Sequence, residues 1–203
     1  MDAASVTELQ AYLRQNQSLT EILERFDEIA LPDSWLVAGS IAQTIWNLRC
    51  GQPAGQGIKD VDLVYFNDRD FSVDAEAGHE RRIRDLFRHL PIKLDVKNEA
   101  RVHLWYQERF GYGIRPYRSS TDAIVTFPTT ATAIGVRRTY GEFEYCAPFG
   151  LDDLFSLVVR PNKKQITRAI YEAKIERWRS LWPRLTIVPW ERMAASASSA
   201  VRA

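Results

Sequence analysis

The sequence predicts a soluble α/β or α+β domain, and three observations point there. Segments whose apolar residues recur at helical spacing alternate with short β-rich runs, as where 41–49 (IAQTIWNLR) precedes 61–66 (VDLVYF). The length of 203 residues, 45% of them hydrophobic, suffices for one domain with a sizeable core. Six Trp, eight Tyr and nine Phe, with a charged fraction of 26%, exclude low-complexity disorder. No apolar run approaches the ~20 residues that span a bilayer. Asp2 and Glu8 stand where a secretory leader would be basic and then apolar, so a cytoplasmic setting is expected.

The elements follow in order. Residues 5–15 (SVTELQAYLRQ) and 18–29 (SLTEILERFDEI) read as amphipathic helices. Ser18 and Glu21 open the second in the S-x-x-E spacing by which side chains satisfy the free N–H groups of a helix start. Pro32-Asp33 stops it. The apolar run 35–38 suits a buried strand and closes on Gly39-Ser40; Ile41, Ile45 and Leu48 then mark a helix. A loop with three glycines and a proline fills 50–59. Next come a strand at 61–66, a basic helix at 75–89, a strand at 92–96, a helix at 99–110 and a loop at 111–120 (GYGIRPYRSS). Beyond it, a short helix is expected at 121–127, a hairpin at 133–147, and helices at 150–159 and 163–180. The small, polar stretch 191–203 reads as a disordered tail.

Two cysteines, Cys50 and Cys146, provide neither a disulfide framework nor a zinc cluster. A net charge of +1 gives no global field for nucleic acid or an anionic membrane, so phosphate binding must be local. The informative residues are Gly39-Ser40, then Asp60-Val61-Asp62, then Asp95. Side chains alternate along a strand, so Asp60 and Asp62 project to one side while Val61 and Leu63 enter the core. Two carboxylates there repel each other in a structure that disfavours Asp. A divalent cation relieves the repulsion, and Mg²⁺ suits carboxylate oxygens, retained waters and substrate phosphates. Asp95 interrupts its own apolar strand in the same way. It either joins the metal site, takes a second metal, serves as the base for an attacking hydroxyl, or pairs with Lys93 or Lys97 as a surface carboxylate. Gly39 between strand and helix lets a phosphate approach the backbone, and Ser40 adds a hydroxyl at a helix start that favours anions.

The order h-G-S, D-h-D, h-D-h resembles the polymerase-β-type nucleotidyltransferase superfamily. The stretches WLVAGSIAQTIWN, IKDVDLVYF, LDVKNEARVHLWY and APFGLDDLFSLVVRPN are similar to a bacterial nucleotidyltransferase-like family, across most of 34–190. The resemblance implies a nucleotidyltransferase fold, a mixed β-sheet flanked by helices, with one domain over 1–190. That domain divides into N-terminal helices (1–30), a catalytic core (34–110) and a C-terminal elaboration (111–190). It implies Asp60, Asp62 and Asp95 as catalytic metal carboxylates for Mg²⁺ or Mn²⁺, and Gly39 and Ser40 as the phosphate-binding turn. The implied reaction moves a nucleoside monophosphate from an NTP to an acceptor hydroxyl on a small molecule, a protein or an RNA, with release of pyrophosphate. No membrane and no obligate partner are expected. The alternatives are a non-catalytic nucleotide- or RNA-binding protein, or a toxin–antitoxin component of the same fold. The 50–59 loop separates Gly39-Ser40 from Asp60 by more than the superfamily's usual spacing; it either covers the nucleotide or lengthens a connection.

Other features weigh less. Arg115 and Arg118, beside Tyr112 and Tyr117, suit phosphate pairing and base stacking and are assigned to nucleotide or phosphate binding. The basic stretch 81–101 either guides triphosphate or RNA or is a solvated helix face. The stretch 160–184 reads as routine helix surface. His103 reads as a hydrogen-bonded core residue, Asp152-Asp153 as a helix cap, and the six tryptophans as core and interface.

Overall fold

Alternating apolar residues at 35–37, 60–65 and 93–98 supply the centre of a five-stranded sheet. The computed structural model describes residues 3–191. In chain order it contains α1 (Ala3–Leu13), α2 (Gln17–Glu24), α3 (Phe26–Ile29), β1 (Trp35–Val37), α4 (Gly39–Arg49), β2 (Asp60–Tyr65), α5 (Val73–Leu86) and β3 (Lys93–Asn98). A 3-10 turn, Glu99–Arg101, leads into α6 (Val102–Phe110), followed by α7 (Ser120–Ile124), β4 (Gly135–Thr139) and β5 (Glu142–Cys146). The chain continues through α8 (Asp152–Phe155), β6 (Val158–Val159), α9 (Arg168–Leu181) and β7 (Thr186–Ile187). Among the described residues no helix is long and apolar enough to cross a membrane.

The strand order is β3-β2-β1-β4-β5. β2 and β3 run parallel with α5 as their crossover, and the other neighbours are antiparallel, so the sheet is mixed as expected. Leu36, Val61, Leu63, Tyr65, Leu94, Val96 and Val136 point to the face that packs under the helices as the main core. Trp35, Val37 and Val64 point to the opposite face and meet Ile124 of α7. Gly135 makes that closure possible: a Cβ there would lie 2.7 Å from Ile124 Cδ1 and 3.3 Å from Val37 Cγ1.

Three tryptophans join the helices. Trp46 of α4 meets Trp178 and Trp182 edge-on, at centroid distances of 5.2 and 5.5 Å. The Trp182 indole N–H donates to Asn47 Oδ1 at 2.7 Å. A polar knot secures the end of β3. Asn98 Oδ1 accepts from the N–H groups of Asn67 and Ala100, while its Nδ2 donates to the Asn67 carbonyl. Glu76 of α5 accepts from the Asn98 N–H (2.8 Å) and from Arg101 Nη1 (2.6 Å).

The structure departs from the sequence reading in several places. Asn16, not Ser18, caps α2 by accepting from the Leu19 N–H, and Arg25 divides the expected second helix into α2 and α3. The helix expected at 150–159 is one turn, α8, followed by strand β6. The helix expected from 163 starts at Arg168 behind the Thr167 cap. Two-residue β6 pairs in parallel with β7, a strand the sequence did not suggest. Asp152 and Asp153 do stand in the first turn of α8, but Asp153 pairs with Arg160 at 3.0 Å and accepts from the Thr130 hydroxyl. His103 is half-buried edge-on to Phe71, and its Nδ1 has no hydrogen-bond partner, unlike the hydrogen-bonded histidine expected. The 50–59 loop is tied to the C-terminal end of α4, where Asn47 Nδ2 donates to the carbonyls of Ala54 and Gln56. Beyond Glu191, the tail expected at 191–203 lies outside the described residues.

Candidate active site

The alternation that buries Val61 and Leu63 places Asp60 and Asp62 on the opposite face of β2. Parallel register sets Asp95 of β3 directly beside Asp62. On the other side, Asp62 pairs with Val37, the last residue of β1. The chain then turns through Ala38 (φ 59, ψ −122) into α4, so the start of this helix stands next to Asp62. Gly39, Ser40 and the three aspartates therefore come together at one place.

The turn is unusually short of internal partners. No helical carbonyl can accept the first N–H groups of α4. Ser40 Oγ and Gln43 Oε1 are buried with no hydrogen bond. Gly39 leaves room for that glutamine: a Cβ there would lie 2.8 Å from Gln43 Nε2. Buried polar groups left without partners are costly, which makes them informative at a helix start that favours anions.

The carboxylates act on one another. Burial, joined by the charges of Asp60 and Asp95 and opposed by Lys174 and Lys97, raises the Asp62 carboxyl to about 6. Lys97 Nζ is 2.7 Å from Asp95 Oδ1 and 3.9 Å from Glu80 Oε2, so the lysine pairing read as one alternative for Asp95 is present. Lys174 of α9 is exposed, and partial desolvation holds its pKa below the usual lysine value; Asp62 and Asp60 raise it, and Arg177 and Arg109 lower it.

The donor set fits a hard divalent cation, because a half-buried carboxylate crowded by two others is stabilised by positive charge. The side-chain oxygens do not, however, surround a common point. Among the described residues no three His, Cys, Asp or Glu are arranged to hold a metal ion, and Asp95 is engaged with Lys97.

Glu99 is a further buried acid that sequence reasoning missed. Burial pushes its carboxyl up to about 8, with Glu76 and Asp62 adding to the effect. The folded protein holds this proton more tightly than the unfolded chain, so stability falls as pH rises from about 4.5 through about 8. Glu99→Gln has no such proton to lose. In metal-free thermal unfolding it is expected to match the parent near pH 5 and to melt higher near pH 8.5; equal melting at both pH values would show that Glu99 does not carry this dependence.

Arg115 and Arg118 are placed elsewhere. They line a separate cavity with Tyr112, Tyr117 and Lys164, and neither Gly39-Ser40 nor any of the three aspartates lines it. Lys174 was visible as one cation of a basic stretch, but only the packing of α9 lets its charge act on Asp62 and Asp60. Gln43 carries no signal in a single sequence beyond its place one turn after Gly39.

The profile of a family described as Nucleotidyltransferase matches residues 24–187. Among solved structures, the chain is similar to a protein whose NMR structure is said to reveal a CCA-adding enzyme head domain. The two are 26% identical with a TM-score of 0.74, over 90% of this chain and 95% of that one. No curated protein sequence matches at a significant level.

Proposed function

From the premise that the chain belongs to the nucleotidyltransferase family, we propose that it transfers a nucleoside monophosphate from an NTP to an acceptor hydroxyl, with release of pyrophosphate and dependence on Mg²⁺ or Mn²⁺. The observation that carries this reading is the placement of Asp60, Asp62 and Asp95 side by side on one sheet face beside the start of α4. The likeness to a CCA-adding enzyme head domain supports nucleotidyl transfer as the reaction class.

Each group then has a role. The first N–H groups of α4 and the Ser40 hydroxyl hold triphosphate oxygens, which supplies the partners these groups lack within the fold. Asp60 and Asp62 hold the divalent ion, which when bound neutralises phosphate charge and aligns the α-phosphorus for in-line attack. Asp95 either completes that ligand set or accepts the proton of the acceptor hydroxyl, which it can do once Lys97 releases it. Lys174, whose charge acts on Asp62 and Asp60, is assigned to neutralise the departing pyrophosphate.

One observation favours a second reading, a nucleotide-binding protein without transfer: the Asp95–Lys97 pair keeps the third carboxylate occupied. Incubation with each α-labelled NTP, Mg²⁺ or Mn²⁺ and cell extract separates the two. Transfer predicts label on an acceptor and free pyrophosphate, both lost in Asp60→Asn and Asp62→Asn. Nucleotide binding without label or pyrophosphate supports the second reading. Binding indifferent to both substitutions overturns the site itself.

A further inference from the structure

The 111–119 loop encloses a second concavity of about 540 Å³, bordered by Tyr112, Arg115, Tyr117, Arg118, Lys164 and Gln165. Its frame is fixed by hydrogen bonds. The Tyr112 hydroxyl donates to the Gln165 carbonyl at 2.8 Å, and the Tyr117 hydroxyl accepts from Gln165 Nε2 at 2.7 Å. Tyr117 also shares a hydrogen bond with the Thr126 hydroxyl. A cavity of this size suits a small ligand.

Its charge is unbalanced. The side chains of Arg115, Arg118 and Lys164 are exposed and, among the described residues, have no ion-pair partner. Lys164 is within 5.9 Å of the Phe149 ring centroid. Arg137, Arg160 and Arg168 of the same half of the chain pair with Glu144, Asp153 and Glu172, whereas Arg138 and Arg184 donate to backbone carbonyls; what sets Arg115, Arg118 and Lys164 apart is that all three border one cavity. The carboxylate on the pocket wall, Asp122, already accepts the Arg118 backbone N–H at 3.0 Å. Three unmatched cations around a framed cavity are suited to a multiply charged oxyanion, and arginine forks match phosphate geometry.

Both walls are joined in the chain to helices whose charges act toward the aspartates: the loop follows α6, whose Arg109 acts on Lys174, and Lys164-Gln165 precede α9, whose Lys174 feels Asp62 and Asp60. A bound nucleic acid would need a track of many phosphate contacts. This chain has a net charge of +1 and gathers three cations around one small cavity.

We propose that this pocket binds the phosphate group of the acceptor, making the acceptor a phosphorylated small molecule. The assignment rests on the transfer reading above. The test is titration of inorganic phosphate into ¹⁵N-labelled protein, followed by NMR. Saturable shifts are expected at the amides of 112–118 (apart from Pro116) and 164–165. Arg115→Ala with Arg118→Ala should raise the phosphate Kd about tenfold or more, and Arg115→Lys with Arg118→Lys should recover much of the affinity. Absence of these shifts, or a Kd unchanged in the alanine double variant, overturns the proposal. So does a single-stranded oligoribonucleotide that shifts the same amides at a tenfold lower concentration. Failure of the transfer reading has a different signature: ATP with Mg²⁺ leaves the amides of Gly39, Ser40 and β2 unmoved, and the acceptor assignment then falls even if phosphate binds.

Discussion

Asp62→Asn is expected to lower label transfer by about 10³-fold while making the metal-free protein more stable above pH 6. The loss follows from removing one of the paired carboxylates that orient and neutralise the triphosphate, an electrostatic contribution that commonly reaches 10²–10³ in rate. The gain follows from linkage. The Asp62 carboxyl is raised from 3.8 to about 6 by burial and by its two acidic neighbours. The folded state therefore binds this proton more tightly, and stability is lost as pH rises from about 3.8 through about 6. An amide removes that loss, on the order of 1–3 kcal/mol at pH 7.5. Activity measured beside thermal unfolding gives the decisive pattern. Transfer and stability falling together would assign Asp62 a structural role; opposite movement marks a site that sacrifices stability for function.

Arg101→Met should cause the largest loss of stability, about 3–5 kcal/mol. The Arg101 guanidinium is only 6% exposed, donates from Nε to the Phe71 carbonyl at 2.7 Å, and pairs with Glu76 at 2.6 Å. Removing it leaves the Glu76 carboxylate without its cation beside Glu99, whose carboxyl Glu76 already raises. For a chain of this size the midpoint of thermal unfolding should fall by roughly 10 °C or more. Glu76→Gln combined with Arg101→Met should recover much of the loss, because the stranded charge is then gone. A drop of less than ~1 kcal/mol in the single variant would place the pair with ordinary surface ion pairs.

The sequence revealed features that depend on local pattern. Period-two alternation separated Asp60 and Asp62 from Val61 and Leu63, and the apolar run ending at Gly39-Ser40 located the strand-to-helix turn. Helical spacing identified α1, α4 and α9. What lay beyond reach depends on pairings distant in the chain. Asp95 was a candidate by type, but only the register of β2 with β3 shows it beside Asp62. The charge of Lys174 acts on Asp62 because α9 packs through Trp178, and through Trp182 just beyond its end, onto Trp46. Two-residue strands such as β6 and β7 are too short to show a period. The S-x-x-E signal at Ser18 gave way to Asn16, which caps α2 and also donates from Nδ2 to the Thr44 hydroxyl of α4 at 2.8 Å. Arg115 and Arg118 were credible phosphate ligands by composition, yet their loop encloses a cavity of its own.

The indole cluster has an optical consequence. Trp46 is fully buried two turns along the same helix that begins at Gly39, and its ring meets those of Trp178 on α9 and Trp182 just beyond it. A ligand settling on the first turn of α4 therefore bears on the helix that carries Trp46, an indole in edge contact with two others. The protein contains its own reporter, and occupancy of its most important turn can be followed by intrinsic emission without any label.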